Sequence, residues 1–154
     1  MWTRWNTHTI VSAEADDVID VLTRVEAIHG WSPVAFDLDD LAERHLHTGC
    51  RARVIGRLAG FGVAFDVEVE EATHERLALL ASGPVELDVD YRVEPTDLGT
   101  SVTAEVSVRS AGGTTGRLIA RAVNTLLAAG ALDRALGRIA AEAEASSADM
   151  ALAA

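Results

Sequence analysis

Alternation of apolar and polar residues in the middle of the chain is the feature that most limits how it can fold. Val63 to Glu71, Val85 to Val93 and Thr100 to Arg109 each place an apolar residue at nearly every second position. A period of two indicates a strand with one buried and one exposed face. Weaker strand patterns occupy Trp5 to Val11, Val34 to Leu38, Arg51 to Leu58 and Leu77 to Ala81. The sequence therefore predicts an antiparallel sheet of about seven strands whose apolar face another layer must cover.

The last long stretch, Thr114 to Ala145, can supply that layer. It contains no proline, and its apolar residues recur at steps of three and four, which indicates one continuous helix. The predicted apolar stripe consists of Leu118, Ala122, Leu126, Ala129, Leu132, Leu136, Ile139 and Ala143, widened by Ile119, Val123 and Leu127. Residues 1–145 are predicted to form a single domain, and residues 146–154 a flexible tail.

Helical spacing also appears between the first and second predicted strands. Val18, Ile19, Leu22 and Val25 predict a helix there. A second short helix is predicted between Arg24 and His29, and the helical region is predicted to end at residues 28–33 because Gly30 and Pro33 both break helices.

Charge and composition exclude several functional classes. The 154 residues include 24 acidic and 13 basic side chains, for a net charge of -11. This balance argues against nucleic acid as a partner, because phosphate binding needs a basic surface. No uncharged run approaches the length of a membrane span, so no integral membrane association is expected. The single cysteine, Cys50, and a start unlike a signal peptide predict a cytoplasmic protein.

The glycine turns predict which residues face each other across the hairpins, because a slip by one residue would expose the apolar face. One hairpin is expected to turn at Gly60 and another at Gly99. The predicted pairs are Arg53 with Glu68, Arg51 with Glu70, Tyr91 with Ala104, and Glu86 with Arg109. The charged pairs are expected to be exposed contacts worth a few tenths of a kcal/mol.

Several segments match a known order of elements. They are the opening strand into residues 12–18, the end of the second helix at Trp31-Ser32-Pro33, Gly49, the turn from Glu94-Pro95 to Gly99-Thr100, and the long last helix. From about Thr7 to Ala145 the chain resembles the START-like superfamily, also called SRPBCC, helix-grip or Bet v 1-like, in its polyketide cyclase/dehydrase-type branch. The resemblance implies an α+β helix-grip fold, with the sheet wrapped around the C-terminal helix and one or two short helices after the first strand.

The resemblance also implies a cavity between the sheet and the long helix, usually without metal or cofactor. Small residues at inward positions support it, because facing small side chains leave space. These residues are Ala52, Gly56, Ala81, Ala104, Ala122, Ala129 and Gly130. The predicted ligand-binding residues are Trp31, Phe36, Val54, Phe61, Phe65, Leu87, Tyr91, Leu126 and Leu127. The alternative is a core that leucine and phenylalanine side chains fill completely.

Tyr91, His47 and His29 are the candidate catalytic residues. Tyr91 is the only tyrosine and lies on an inward strand position, where its hydroxyl could orient a ligand oxygen or donate a proton to it. The alternative is a core tyrosine whose hydroxyl bonds to backbone. A histidine could serve as general base, because neutral imidazole titrates near working pH. His45, His47 and Cys50 form a weak metal pattern without a fourth ligand, so no metal is predicted.

Three functions remain open on the sequence. The first is binding of a hydrophobic or aromatic small molecule, with cyclase or aromatase chemistry that closes a poly-β-keto chain by aldol condensation and loss of water. The second is a non-enzymatic carrier or sensor of a lipid or quinone. The third is a protein-interaction module. A homodimer paired through an exposed edge strand is a further open alternative.

Overall fold

Helices cover one face of an open antiparallel sheet. The computed structural model describes residues 2–32, 36–39, 44–58 and 60–153. The strands are β1 (Thr3–Val11), β2 (Phe36–Asp39), β3 (Arg51–Leu58), β4 (Phe61–Ala72), β5 (Arg76–Ser82), β6 (Val85–Thr96) and β7 (Gly99–Ser110). The helices are α1 (Ala15–Thr23), α2 (Val25–Trp31), α3 (Gly113–Ala128) and α4 (Ala131–Ala153). This is the predicted order of elements up to the final helix.

The sheet runs in the order β1-β7-β6-β5-β4-β3-β2, so the first two strands of the chain lie at opposite edges. Five of its neighbouring pairs are antiparallel hairpins of consecutive strands, and β1 pairs with β7. Strand β2 is only four residues long, whereas the others have seven to twelve. The alternation of the sequence decides which face is buried: Val63, Phe65 and Val69 are buried, while Asp66 and Glu68 are exposed.

One of the two predicted hairpin registers is confirmed. In the β6–β7 hairpin, Tyr91 lies opposite Ala104 and Glu86 opposite Arg109. Arg109 donates a hydrogen bond to the Glu86 carboxylate on the exposed face.

The register predicted for the β3–β4 hairpin is wrong by two residues. Arg51 lies opposite Glu68, and Arg53 opposite Asp66. The reason is that Phe61 pairs with Leu58 and therefore belongs to β4 rather than to the turn. A shift by two residues keeps every side chain on its predicted face.

The single C-terminal helix predicted from Thr114 to Ala145 is also wrong: the stretch contains two helices. Gly130 has a φ of 90°, a left-handed conformation that ends a helix and that glycine adopts without steric cost. Arg134 then donates a hydrogen bond of 2.8 Å to the Ala129 carbonyl at the end of α3. Helix α4 continues past Ala145, so residues 146–153 are helical, although their flexibility stays a prediction.

The turn at Gly130 between α3 and α4 changes which side of the C-terminal stretch is buried. On α3, Ile119 and Val123 are buried, whereas Leu118 and Leu126 from the predicted stripe are 48% and 37% exposed. On α4 the predicted stripe is correct, because Leu132, Leu136, Ile139 and Ala143 are all buried. Turning the chain at Gly130 therefore lets each helix present its own apolar side to the sheet.

Polar contacts attach the two helices to the start of the chain. The Trp5 indole nitrogen donates a hydrogen bond to Asn124 Oδ1 at 2.9 Å, which joins β1 to α3. Thr7 donates one to Asp133, and Ser147 donates one to Asp17 at 2.6 Å, which joins α4 to β1 and α1. Across the described ranges, no helix is both long enough and apolar enough to span a membrane.

Candidate binding cavity

A partly enclosed apolar cavity of about 300 Å³ lies between the sheet and helices α3 and α4. Strands β3 to β7 form one wall, and α2 closes one end. The sheet wall consists of Ala52, Val54, Gly56, Leu58, Val63, Phe65, Val67, Val69, Leu79, Ala81, Leu87, Val89, Tyr91 and Val106. The remaining lining residues are Ile28, Trp31, Ser32, Leu46, Cys50, Val123, Leu126, Leu127, Ala131 and Leu132. Leu126 is both exposed and part of the lining, which places it at the mouth.

The cavity exists because small residues stand where larger ones would fill the core. Ala52, Gly56 and Ala81 sit on three inward positions of the sheet, as the sequence predicted. Ala104 is fully buried opposite Tyr91 but is not part of the lining. The Gly130 turn also contributes, because it places Leu126 and Leu127 on one helix and Ala131 and Leu132 on the next around the same space.

Tyr91 contributes a phenol to the cavity lining. Its side chain is 3% exposed and belongs to the lining. Among the described residues, every fully buried side-chain oxygen or nitrogen has a hydrogen-bond partner. The Tyr91 hydroxyl forms no hydrogen bond with a described residue, so its oxygen is not fully buried. The hydroxyl oxygen therefore borders open space, and the open space beside Tyr91 is the cavity. A hydrogen-bond donor that faces an apolar cavity can bind an oxygen of a ligand.

Trp31 holds Tyr91 in place. The two rings meet edge to face, with 5.6 Å between their centroids and an angle of 72° between their planes. Trp31 is itself fixed, because its indole nitrogen donates a hydrogen bond of 2.9 Å to the Val21 carbonyl of α1. The tyrosine ring thus packs against a side chain that cannot turn away without losing a buried hydrogen bond.

Burial raises the pKa of the Tyr91 phenol well above its ordinary value. The cause is desolvation, because the charged phenolate would lose its hydration in an apolar site. Tyr91 is therefore a neutral hydrogen-bond donor near neutral pH and not a base.

The candidate bases His29 and His47 do not lie in the cavity lining. Both side chains are exposed, and His47 Nδ1 lies 3.2 Å from the Thr48 carbonyl oxygen. The structure does not bring either of them together with Tyr91. Their assignment as general bases stays a prediction without geometric support.

His45 takes part in a structural contact on the surface. Its Nε2 atom lies 2.9 Å from Asp20 Oδ1, and Arg24 donates to Asp20 Oδ2 at 3.0 Å. Burial alone would raise the pKa of Asp20, but the hydrogen bonds and charges of His45 and Arg24 outweigh it and lower that pKa. Within the described ranges, no three His, Cys, Asp or Glu side chains form a group that could hold a metal ion.

Seven of the nine predicted ligand-binding residues line the cavity: Trp31, Val54, Phe65, Leu87, Tyr91, Leu126 and Leu127. The side chains of Phe36 and Phe61 lie outside the described part of the structure. Whether any of the seven binds a ligand stays a prediction.

The sequence reasoning missed several members of the lining. Alternation carries the signal for Val63, Val67, Leu79 and Val89, because they share the inward parity of Phe65, Ala81 and Leu87. It carries none for Cys50 and Leu46, because they precede the regular part of β3.

Comparison with known proteins supports the fold. No protein family profile matches the chain, and no curated protein matches it. Among solved structures, a protein of Chromobacterium violaceum is similar with a TM-score of 0.68 and 16% identity, covering 92% of this chain and 96% of that one. Ara h 8.0201 is similar with a TM-score of 0.59 and 9% identity, covering 90% of this chain and 98% of that one.

DynU16, from the dynemicin biosynthetic locus, is similar with a TM-score of 0.58 and 25% identity. The alignment covers 95% of this chain but 48% of DynU16, so the chain spans about half of that protein. Together with the strand order, these similarities show that the chain has a helix-grip fold.

Proposed function

We propose that this protein binds a neutral hydrophobic or aromatic small molecule in the cavity between the sheet and helices α3 and α4. The observation that carries the proposal is an apolar cavity of about 300 Å³ lined by Tyr91, whose hydroxyl has no hydrogen-bond partner among the described residues. Natural ligand pockets have roughly 300 to 1,000 Å³, so this one suits a small ligand of the size of a bicyclic ring system.

The lining determines what kind of ligand fits. Among the described lining residues, the polar side chains are Ser32, Cys50 and Tyr91, and none is an acid, lysine, arginine or histidine. A charged ligand would lose its hydration there without gaining a counter-charge. A neutral ligand with a carbonyl or ether oxygen would accept a hydrogen bond from Tyr91 and bury its remaining surface against aliphatic side chains.

The structural similarities support ligand binding in a helix-grip fold. A cavity also favours a ligand-binding role over a protein-interaction module, for which a filled core would suffice. Among the functions that the sequence leaves open is a carrier or sensor of a quinone or a similar neutral molecule. Such a function requires only an apolar cavity with a hydrogen-bond donor, and the lining provides both.

A polyketide cyclase or dehydratase is the second candidate. The similarity to DynU16 favours it, since that protein comes from a biosynthetic locus. An aldol closure needs a base to take a proton from carbon and a donor to protonate the carbonyl oxygen. Tyr91 could supply the donor, but the described lining holds no side chain suited as the base. Binding is therefore the stronger proposal.

Native mass spectrometry of gently purified protein, followed by a titration with menadione, tests the proposal. Menadione is a neutral bicyclic quinone without charge. We expect one molecule to bind per chain and to shift the Trp31 indole resonance in proton–nitrogen NMR correlation spectra. A chain that retains no small molecule and binds neither menadione nor other neutral aromatics saturably would overturn the proposal.

The Tyr91→Phe variant separates binding from catalysis. Loss of one neutral hydrogen bond should weaken menadione binding by no more than about tenfold, since such a bond contributes about 1 kcal/mol. A cyclase that uses the phenol as its proton donor would instead lose turnover while keeping substrate binding. Turnover of a poly-β-keto substrate that disappears in Tyr91→Phe would favour the second candidate.

A further inference from the structure

A second concave surface lies along a different face of α3. It is an open groove between α3 and the strands β1 and β7, with a volume of about 530 Å³. Ala120 and Asn124 of α3 line the groove, whereas Val123 and Leu127 line the cavity. The groove is more open than the cavity, so it would bind part of a ligand while the rest stays in solvent.

Two arginines that have no ion-pair partner among the described residues line this groove. Arg117 and Arg121 both belong to its lining, both are exposed, and their spacing of four residues places them side by side on one helix face. Neither forms an ion pair with a described residue, whereas Arg4, Arg51 and Arg109 each pair with a glutamate.

The charges around the groove make this arrangement unusual. The chain carries 24 acidic and 13 basic side chains, yet none of the described residues that line the groove is acidic. Like charges one turn apart destabilise a helix, and a bound anion would relieve that repulsion. Two arginines that converge on one anion can also donate paired hydrogen bonds to carboxylate or phosphate oxygens.

An apolar wall adjoins the two arginines. Trp5, Val108 and Ala120 form it. The Trp5 ring is held by its hydrogen bond to Asn124 Oδ1, so the side-chain nitrogen of Asn124 is left as a further donor in the groove. A ligand that combines an anionic group with a flat apolar body would match both parts.

We propose that this groove binds a small organic anion, in which a carboxylate or phosphate group contacts Arg117 and Arg121 and an apolar body packs on Trp5. A small anion fits better than an acidic protein surface, because the net charge of -11 repels a large acidic partner over its whole contact area. This site differs in place and in ligand chemistry from the neutral cavity.

Proton–nitrogen NMR spectra can test the proposal, because the chain has three tryptophans and Trp5 and Trp31 report on different sites. The probes are naphthoate, naphthyl phosphate and the neutral naphthalenemethanol, which share one ring system. We expect at least one of the two anions to shift the assigned Trp5 indole resonance and to bind more weakly as salt is added. The neutral alcohol should leave Trp5 unchanged. Which of the two anions binds more tightly identifies carboxylate or phosphate as the preferred group.

Two double variants with equal charge change provide the control. Arg117→Gln with Arg121→Gln should weaken anion binding at least about tenfold, as expected for charged hydrogen bonds. Arg53→Gln with Arg57→Gln, on the exposed face of β3, should change it far less. The proposal is overturned by equal binding in the two double variants, by an equal Trp5 shift with the neutral alcohol, or by anion shifts confined to Trp31.

Discussion

Tyr91 combines two properties that rarely occur together in one side chain. It is almost fully buried, and yet its hydroxyl has no hydrogen-bond partner among the described residues. A buried phenol normally bonds to backbone or to another side chain. Here the ring is fixed by Trp31 while the hydroxyl faces the cavity, so the residue keeps its bonding capacity for a ligand.

The titration of Tyr91 gives a direct test of that burial. Burial raises the pKa of the phenol, whose ordinary value is 10.0. Because Tyr91 is the only tyrosine, the near-ultraviolet absorbance of tyrosinate reports this residue alone. We expect the folded protein to titrate above pH 10 and the urea-unfolded chain to titrate near it. A native midpoint at or below the unfolded one would contradict the assigned position of the hydroxyl.

The same shift makes stability depend on pH. Above the ordinary pKa of 10.0 the unfolded chain loses a proton that the folded protein keeps, so the free energy of unfolding falls as pH rises. The slope from this group approaches about 1.4 kcal/mol per pH unit until the folded pKa is reached. The Tyr91→Phe variant serves as the control, because it lacks this contribution and should lose less stability over the same range.

Helices α3 and α4 show how one backbone conformation shapes the candidate site. A straight helix from Thr114 to Ala145 would present one fixed stripe to the sheet. The left-handed turn at Gly130 instead lets α3 bury Ile119 and Val123 and lets α4 bury Leu132 and Leu136. The mouth of the cavity lies beside this turn.

Two glycine substitutions in this part of the chain should have opposite effects. Gly130→Ala places a side chain at a φ of 90° and should lower the free energy of unfolding by about 1 kcal/mol. Gly137→Ala lies on an exposed position inside α4, where an added Cβ meets nothing within 4 Å. It should raise the free energy of unfolding by about 0.5 to 1 kcal/mol, because alanine favours a helix. Urea denaturation of both variants measures the difference; equal effects would mean that α3 and α4 form one continuous helix.

The molecule as a whole has a well-packed half and a hollow half. The core beneath α1 and α4 consists of fully buried side chains such as Val18, Leu22, Leu77 and Ile139. The space beneath α3 and the start of α4 has small residues at Ala52, Gly56 and Ala81 among its larger lining side chains and keeps a volume of about 300 Å³. Native interiors seldom contain such space without a use for it, which is why the hollow half carries the proposed function.

Filling the cavity should separate stability from ligand binding. Ala81→Leu adds apolar volume to the lining, so the ligand-free protein should lose no stability. The variant should nevertheless lose most of the stabilisation by menadione, which in the wild type reaches about 2.7 kcal/mol at a hundredfold excess over Kd. Thermal unfolding with and without menadione measures both effects. Ala141→Leu, on the exposed side of α4, is the matched control and should keep the full shift.

The sequence by itself determined the strands and the faces that they bury, because both depend on the local alternation of apolar and polar residues. Alternation identified the strands and their buried faces, and it survived even the wrong β3–β4 register, because a shift by two residues leaves each side chain on its face. The same parity correctly placed Tyr91 opposite Ala104 and the small residues Ala52 and Ala81 on the inner side.

Only the tertiary structure decided the features that depend on how helices and strands are placed relative to one another. Helical periodicity could not reveal the turn at Gly130, because an apolar stripe of alanine and leucine continues across it. Parity could not show that His29 and His47 are absent from the described lining of the cavity, because it fixes a face but not a position in space. Whether small residues leave a cavity is likewise decided by how closely α3 and α4 approach the sheet, and the spacing of elements is a property of packing rather than of any local pattern.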